Sequence, residues 1–162
     1  MDIDIYSGNV YDNCMKSHYF TSYITPSSEA IKKTSYKLSG AGEVYIDKAR
    51  LRRLDMTAGE KVNVGLTRGG LALAMSPSAI SDTIDRISKD PFLSQHDKDM
   101  LCWLYEDFGE YTEQREVDEC NMLIIPSKIR KLLHLDPKNT FQSHVATFED
   151  DKKLFIEPCL KL

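Results

Sequence analysis

The sequence predicts a mainly β chain with short helices, an α+β class, in which two tandem β-α-β-β units pack as a pseudo-symmetric pair. Three observations support this prediction. Apolar positions recur along the chain at a nearly fixed shift, each copy combines alternating strand patterns with one short helical pattern, and the residues between the copies have helical spacing. A unit of this size cannot close a core alone, so the two copies are expected to pack together.

The repeat relates residues 42–77 to residues 121–158. With a shift of 79 residues, four apolar pairs coincide: Val44 with Leu123, Ile46 with Ile125, Leu54 with Leu133, and Met56 with Leu135. A shift of 81, assigned to a longer second hairpin turn, then aligns Leu73 with Leu154. The apolar positions of the two copies align although few residues are identical, which indicates a duplicated unit.

Each copy is predicted to contain the same elements in the same order. A short strand at 44–46 or 123–125 precedes a helix at about 48–54 or 127–133, and Pro126 and Ser127 are start signals in the second copy. A hairpin follows, with strands at 61–66 and 71–75 in the first copy and 140–148 and 153–157 in the second. The glycine pair in the first hairpin turn supplies the positive φ that a tight turn needs.

The remaining segments complete a division into four parts. Residues 1–30 form an N-terminal extension and 31–77 the first unit, with 29–37 as its first strand. Residues 78–110 form a connector with helices at 78–90 and 95–108, and 111–162 form the second unit. Ile80, Ile84 and Ile87, and the stripe that contains Trp103, have helical spacing and are expected to pack on the two units.

Composition excludes several classes of protein. The 162 residues contain no run of about 18 apolar residues, so no transmembrane helix is predicted. The acidic start lacks a signal-peptide pattern, so a cytoplasmic location with reduced cysteines is expected. No nucleophile, metal-ligand or phosphate-loop motif stands out, so neither an enzyme, a metal site nor a cofactor is predicted.

Charge is distributed unevenly along the chain. The formal net charge is −4, but residues 78–120 contain twelve acids and four bases, so the rest of the chain sums to +4. An acidic connector between two mildly basic units is compatible with nucleic-acid binding by the units, because counterion release depends on the local patch. It is equally compatible with acids that simply face solvent.

The stretch from Ile125 to Leu135 resembles the I-P-x-x-[IL]-R-[RK]-x-L-x-[IL] segment of the AbrB/MraZ/SpoVT-like swapped-hairpin family, and Ile46 to Met56 resembles it more weakly. Two such units in one chain are similar to the MraZ-like members. The resemblance implies an interleaved β-barrel and double-stranded DNA as the partner, with self-association. The basic residues of the two helix segments are the implied contacts: Lys48, Arg50, Arg52, Arg53, Lys128, Arg130 and Lys131.

The chain departs from the MraZ-like pattern just before the first strand of each copy. MraZ-like units have an Asp-x-x-[Gly]-Arg motif there, whereas this chain has Ser39 to Glu43 in the first copy and Asp118 to Met122 in the second. A glutamate in place of an arginine repels phosphate. The alternative is therefore a protein-binding module on the same scaffold, such as an antitoxin-like or phage-encoded inhibitor of a host protein, which uses the N-terminal extension or the acidic helices.

Overall fold

The computed structural model describes residues 31–67, 70–107 and 112–159. It is a mixed α+β structure built mostly from strands, as the sequence predicts. The described residues contain eight strands: β1 (Ile31–Lys37), β2 (Glu43–Tyr45), β3 (Lys61–Leu66), β4 (Ala72–Met75), β5 (Glu113–Glu116), β6 (Met122–Ile124), β7 (His144–Asp150) and β8 (Lys153–Pro158). The same residues contain four α-helices, α1 (Lys48–Arg53), α2 (Pro77–Lys89), α3 (Gln95–Asp107) and α4 (Ser127–Leu132), and a 3-10 turn at Thr140–Gln142.

Six strands form one antiparallel sheet in the order β1-β7-β8-β4-β3-β5, while β2 and β6 form a separate antiparallel pair. The two halves are interleaved in this order, because each hairpin lies beside strands of the other half. Thus β1 pairs with β7, β5 pairs with β3, and β4 pairs with β8 at the centre. Within the described strands no pairing between β1 and β5 closes this sheet into a barrel.

The two halves repeat the same local hydrogen bonds. The amide of Ile46 donates to the carbonyl of Asn121, and the amide of Ile125 donates to the carbonyl of Gly42. Gly42 and Asn121, one repeat apart, both have positive φ, at 81° and 62°. The chain reverses after each short helix in the same way, with φ of 56° at Asp55 and 57° at His134.

Alternation along the central strands gives the sheet two buried faces. In β4, Ala72 and Ala74 point into one core, which also holds the apolar residues of α1 and α4. Leu73 and Met75 point into the second core, which the connector helices α2 and α3 cover. The sheet therefore separates two layers: the short helices α1 and α4 with the β2–β6 pair on one side, and the connector helices on the other.

The register corrects the repeat in its second part. Val64 pairs with Glu113 of β5, and Thr147 pairs with Thr34 of β1. Because Thr34 and Glu113 are separated by the repeat shift of 79, Val64 and Thr147 occupy equivalent positions. Leu73 lies opposite Phe155 at the centre of the sheet and is not matched to Leu154. The extra residues of the second unit thus lie before its third strand, around the 3-10 turn, rather than in its hairpin turn. For this reason β7 begins at His144 and not at residue 140.

The connector packs as predicted, with one correction. Ser76 caps α2 by accepting a hydrogen bond from the amide of Ala79 at 3.1 Å, and Ile80 and Ile87 are buried. On α3, Leu101 is buried, but Trp103 is 54 % exposed and does not belong to the packed stripe. Residues 1–30, Arg68, Gly69, residues 108–111 and 160–162 lie outside the described residues, and so does the predicted N-terminal extension.

Candidate nucleic-acid interface

Helix α1 carries four of the seven basic residues proposed from sequence. Asp47 caps the helix, because its Oδ1 accepts a hydrogen bond from the amide of Arg50 at 2.8 Å. The helix lasts six residues and ends where Leu54 bonds back to the carbonyl of Arg50. Leu51 and Leu54 anchor one side of it in the core, which leaves Lys48, Arg52 and Arg53 on the exposed side.

Helix α4 occupies the equivalent place in the second half and carries the other three. Pro126 is its cap residue and makes no side-chain capping bond, so the helix start depends on the fixed φ of proline, here −52°. Ile129 and Leu133 bury one side of this helix in the same core as α1. Lys128 and Lys131 are exposed, and Arg130 is partly exposed.

Basic and acidic helices lie on opposite faces of the sheet, a separation that the net charge of the chain does not reveal. The basic helices pack on one face of the six-stranded sheet, and the acidic connector helices pack on the other. Two layer spacings of about 10 Å each lie between them, which exceeds the Debye length of about 10 Å at 0.1 M salt. A polyanion near α1 and α4 is therefore largely screened from the acids of the connector.

Arg50 does not face solvent, which corrects its assignment as a contact residue. Its side chain is 5 % exposed, and its Nε donates to Glu149 Oε2 at 2.9 Å. Nη1 donates to Thr147 Oγ1 at 2.6 Å, and Nη2 donates to the Thr147 carbonyl at 3.4 Å. The guanidinium is occupied by strand β7 and holds α1 onto the sheet.

Arg53 shares the same carboxylate from the outside. Its Nε donates to Glu149 Oε1 in a short hydrogen bond, and Nη2 lies 3.3 Å from Oε2. Its side chain remains 49 % exposed. The hydrogen bond to Glu149 raises the pKa of Arg53, so the guanidinium stays protonated. Its positive charge is partly compensated by the carboxylate of Glu149.

Arg130 is held against the turn between β1 and β2. Its Nη1 donates to the Ile125 carbonyl at 2.7 Å and to the Ala41 carbonyl at 3.2 Å. The side chain lies over Gly42, where an added Cβ would approach Nη1 to 2.0 Å. Because both acceptors are neutral, Arg130 keeps its full charge at the surface while it joins the two halves.

The turns that precede β2 and β6 are built from side-chain hydrogen bonds. Ser39 Oγ accepts from the Glu43 amide and donates to Glu43 Oε1, both at 3.0 Å. In the second half Asp118 Oδ1 accepts from the amides of Cys120 and Met122 at 2.8 and 2.9 Å. Ser39 and Asp118 thus have the same turn-forming role, and Glu43 places an acidic side chain at the end of the first turn.

Glu149 is the site residue that the sequence analysis missed. It is 3 % exposed and lies 99 residues from Arg50 along the chain, so no local pattern indicates the pair. The repeat contained an indirect signal: the shift of 79 aligns Arg50 with Ile129, which is fully buried. An arginine at a buried position requires an acidic partner.

The chain matches no known protein-family model and no curated protein. Among the described residues, no group of three or more His, Cys, Asp or Glu side chains is arranged to hold a metal ion. Cys102, Cys120 and Cys159 form no disulfide with one another in this part of the chain. In the same part of the chain no helix combines the length and apolar character needed to cross a bilayer.

Proposed function

We propose that this chain is a DNA-binding transcriptional regulator of the AbrB/MraZ/SpoVT-like swapped-hairpin type, which acts in the cytoplasm. The observation that carries the proposal is the shared exposure of Lys48, Arg52, Lys128 and Lys131 on α1 and α4, on one side of the sheet. Duplex DNA presents a dense row of phosphates, and basic side chains on such a surface gain affinity by releasing counterions.

The strand pairing supports the swapped-hairpin part of the proposal. In such an arrangement each unit completes the other, and here β1 pairs with β7 while β5 pairs with β3. The β2–β6 pair joins the halves a second time. A barrel formed by these strands is the finer architecture that we propose for the family fold.

The mechanism is electrostatic docking on the duplex backbone. Arg52 and Lys131 are equivalent residues of the two halves, so their charges are related by the internal pseudo-twofold and face two backbone segments. Self-association adds further copies of this surface and raises the overall affinity through multivalency. Contacts of this kind position the protein, and base-edge contacts would add sequence preference.

Fluorescence anisotropy with labelled random-sequence duplex DNA at about 50 and 200 mM salt tests this function. Each lost phosphate contact reduces the slope of log K against log salt by about 0.9. Arg52→Ala and Lys131→Ala should each flatten the slope by nearly that amount. Lys89→Ala is the matched control, because it removes the same charge from the connector, where Lys89 pairs with Asp85 at 3.0 Å. Unchanged slopes in both test variants, or no binding at low salt, would overturn the proposal.

A second candidate function is a protein-binding module that uses the acidic connector. Trp103 is 54 % exposed and Phe92 is 61 % exposed, on or next to a helix that carries Asp97 and Asp99. Exposed aromatic residues are typical of binding hot spots. Trp103→Ala should leave DNA affinity unchanged under the first function, whereas under the second it should abolish capture of the partner while Lys131→Ala has no effect.

A further inference from the structure

The two basic helices differ in how their charge is compensated, although they occupy equivalent places. Where α1 packs on the sheet, Arg50 forms a buried polar group with Thr147 and Glu149 of β7. The equivalent positions where α4 packs on the sheet are Ile129 and, on β3, Val64 and Leu66, which are apolar members of or neighbours to the same core. One contact between helix and sheet is therefore apolar, and the equivalent contact is ionic.

The ionic contact reduces the charge that α1 can offer to a phosphate. Glu149 lies on strand β7 and accepts a 2.9 Å hydrogen bond from Arg50 Nε. This bond prevents its carboxylate from turning away from Arg53 towards solvent. Its other oxygen accepts from Arg53, the outward-facing arginine. In α4 the position equivalent to Arg53 is Leu132, and the nearby Arg130 donates to the neutral carbonyl oxygens of Ala41 and Ile125 rather than to a carboxylate.

We infer that Glu149 limits DNA affinity by competing with phosphate for Arg53, so that α1 is the weaker half of the interface and α4 the stronger. This inference rests on the proposed function and deepens it. A phosphate that approaches Arg53 meets a guanidinium already compensated by a carboxylate, and it also approaches that carboxylate. The partner that suits such a surface is a duplex contacted unequally on its two half-sites, not a strictly palindromic one.

The test exchanges the ionic contact for the apolar one that the chain already uses. Arg50→Ile together with Glu149→Leu gives the contact at α1 the residue types that the contact at α4 has in Ile129 and Leu66. The exchange removes one positive and one negative charge, so the net charge stays at −4 and any gain in binding comes from Arg53. Replacing a buried ion pair by apolar residues of similar volume is often tolerated.

The double variant should bind random duplex more tightly at about 50 mM salt, with a slope steeper by about 0.9, which is about threefold more loss on going to 200 mM. Arg53→Ala should reverse that gain in the double variant and have little effect in the wild type. Glu149→Gln, which keeps the shape but not the charge, is the second variant and should shift affinity in the same direction, should the double variant fail to fold.

The outcomes separate the inference from the function on which it rests. If the wild type binds and both variants keep its affinity and slope, the inference is overturned and DNA binding stands. A large effect of Arg53→Ala in the wild type would also overturn it, because Arg53 would then already contact phosphate. If neither wild type nor variants bind at low salt, both proposals are overturned.

Discussion

Replacing Glu149 by leucine removes the carboxylate that compensates the buried guanidinium of Arg50. Arg50 then keeps only Thr147, through Oγ1 at 2.6 Å and the carbonyl at 3.4 Å. An uncompensated buried charge costs about 3–5 kcal/mol, so Glu149→Leu should lose that much free energy of unfolding. Arg50→Ile should cost less, about 1.5–3 kcal/mol for a lost charged hydrogen bond, because Glu149 still has Arg53 as its partner.

The double variant should lie within about 1 kcal/mol of the wild type, because neither charge remains buried alone. Urea unfolding of the four proteins gives the double-mutant cycle, with a coupling free energy of several kcal/mol. The wild type and the double variant should be the most stable and similar to each other. Arg50→Ile should be less stable than both, and Glu149→Leu should be the least stable. Additive losses in the double variant, or equal losses in the two single variants, would refute the view that this buried pair is held mainly by mutual compensation.

Two further predictions concern other parts of the fold. Gly42→Ala should lower the free energy of unfolding, measured in urea, by about 1–2 kcal/mol, because Gly42 has a φ of 81° and an added Cβ would meet Nη1 of Arg130. The same change should loosen the contact between this turn and Arg130. Gly40→Ala is the control and should leave stability unchanged, because nothing lies within 4 Å of a Cβ added there. Burial lowers the pKa of Lys153 in the folded protein below its ordinary value. At pH values between the folded and the unfolded pKa, the unfolded chain binds more protons than the folded one, so wild-type stability rises with pH in that range. Lys153→Met lacks this gain, so its stability relative to the wild type, measured by urea unfolding, should decline as the pH rises towards the ordinary lysine pKa of about 10.4; a constant difference would contradict the assignment.

Local signals predicted most of the elements. Helix α2, Pro77–Lys89, follows from the spacing of its isoleucines and from the Ser76-Pro77 start. Helix α4 follows from Pro126, which fixes the backbone at its start. The strand predicted to end at residue 148 continues as β7 to Asp150, and the turn is made by Asp151 and Lys152, which have positive φ of 52° and 65° without a glycine. Because this pair is not a typical one for a turn with positive φ at both positions, the sequence does not mark the position of this turn.

Long-range pairing could not be predicted from the same signals. The repeat indicates that two units pack together, but it does not state that β1 pairs with β7 across 113 residues of chain. The candidate site shows the same limit. Arg50 is basic and lies in a helix segment that resembles the AbrB/MraZ-like motif, so its sequence position predicts an exposed contact residue. Its burial depends on Glu149, whose place on β7 is set by sheet register alone.

The central claim is that the side of the sheet formed by α1 and α4 contacts duplex DNA and the connector side does not. Backbone amide chemical shifts, recorded while a short random-sequence duplex is added at about 50 mM salt, test this claim residue by residue. We predict shift changes concentrated in residues 47–53 and 126–132, larger in the second range, with little change in 77–107. Changes concentrated in the connector, or none at protein saturation, would contradict the account.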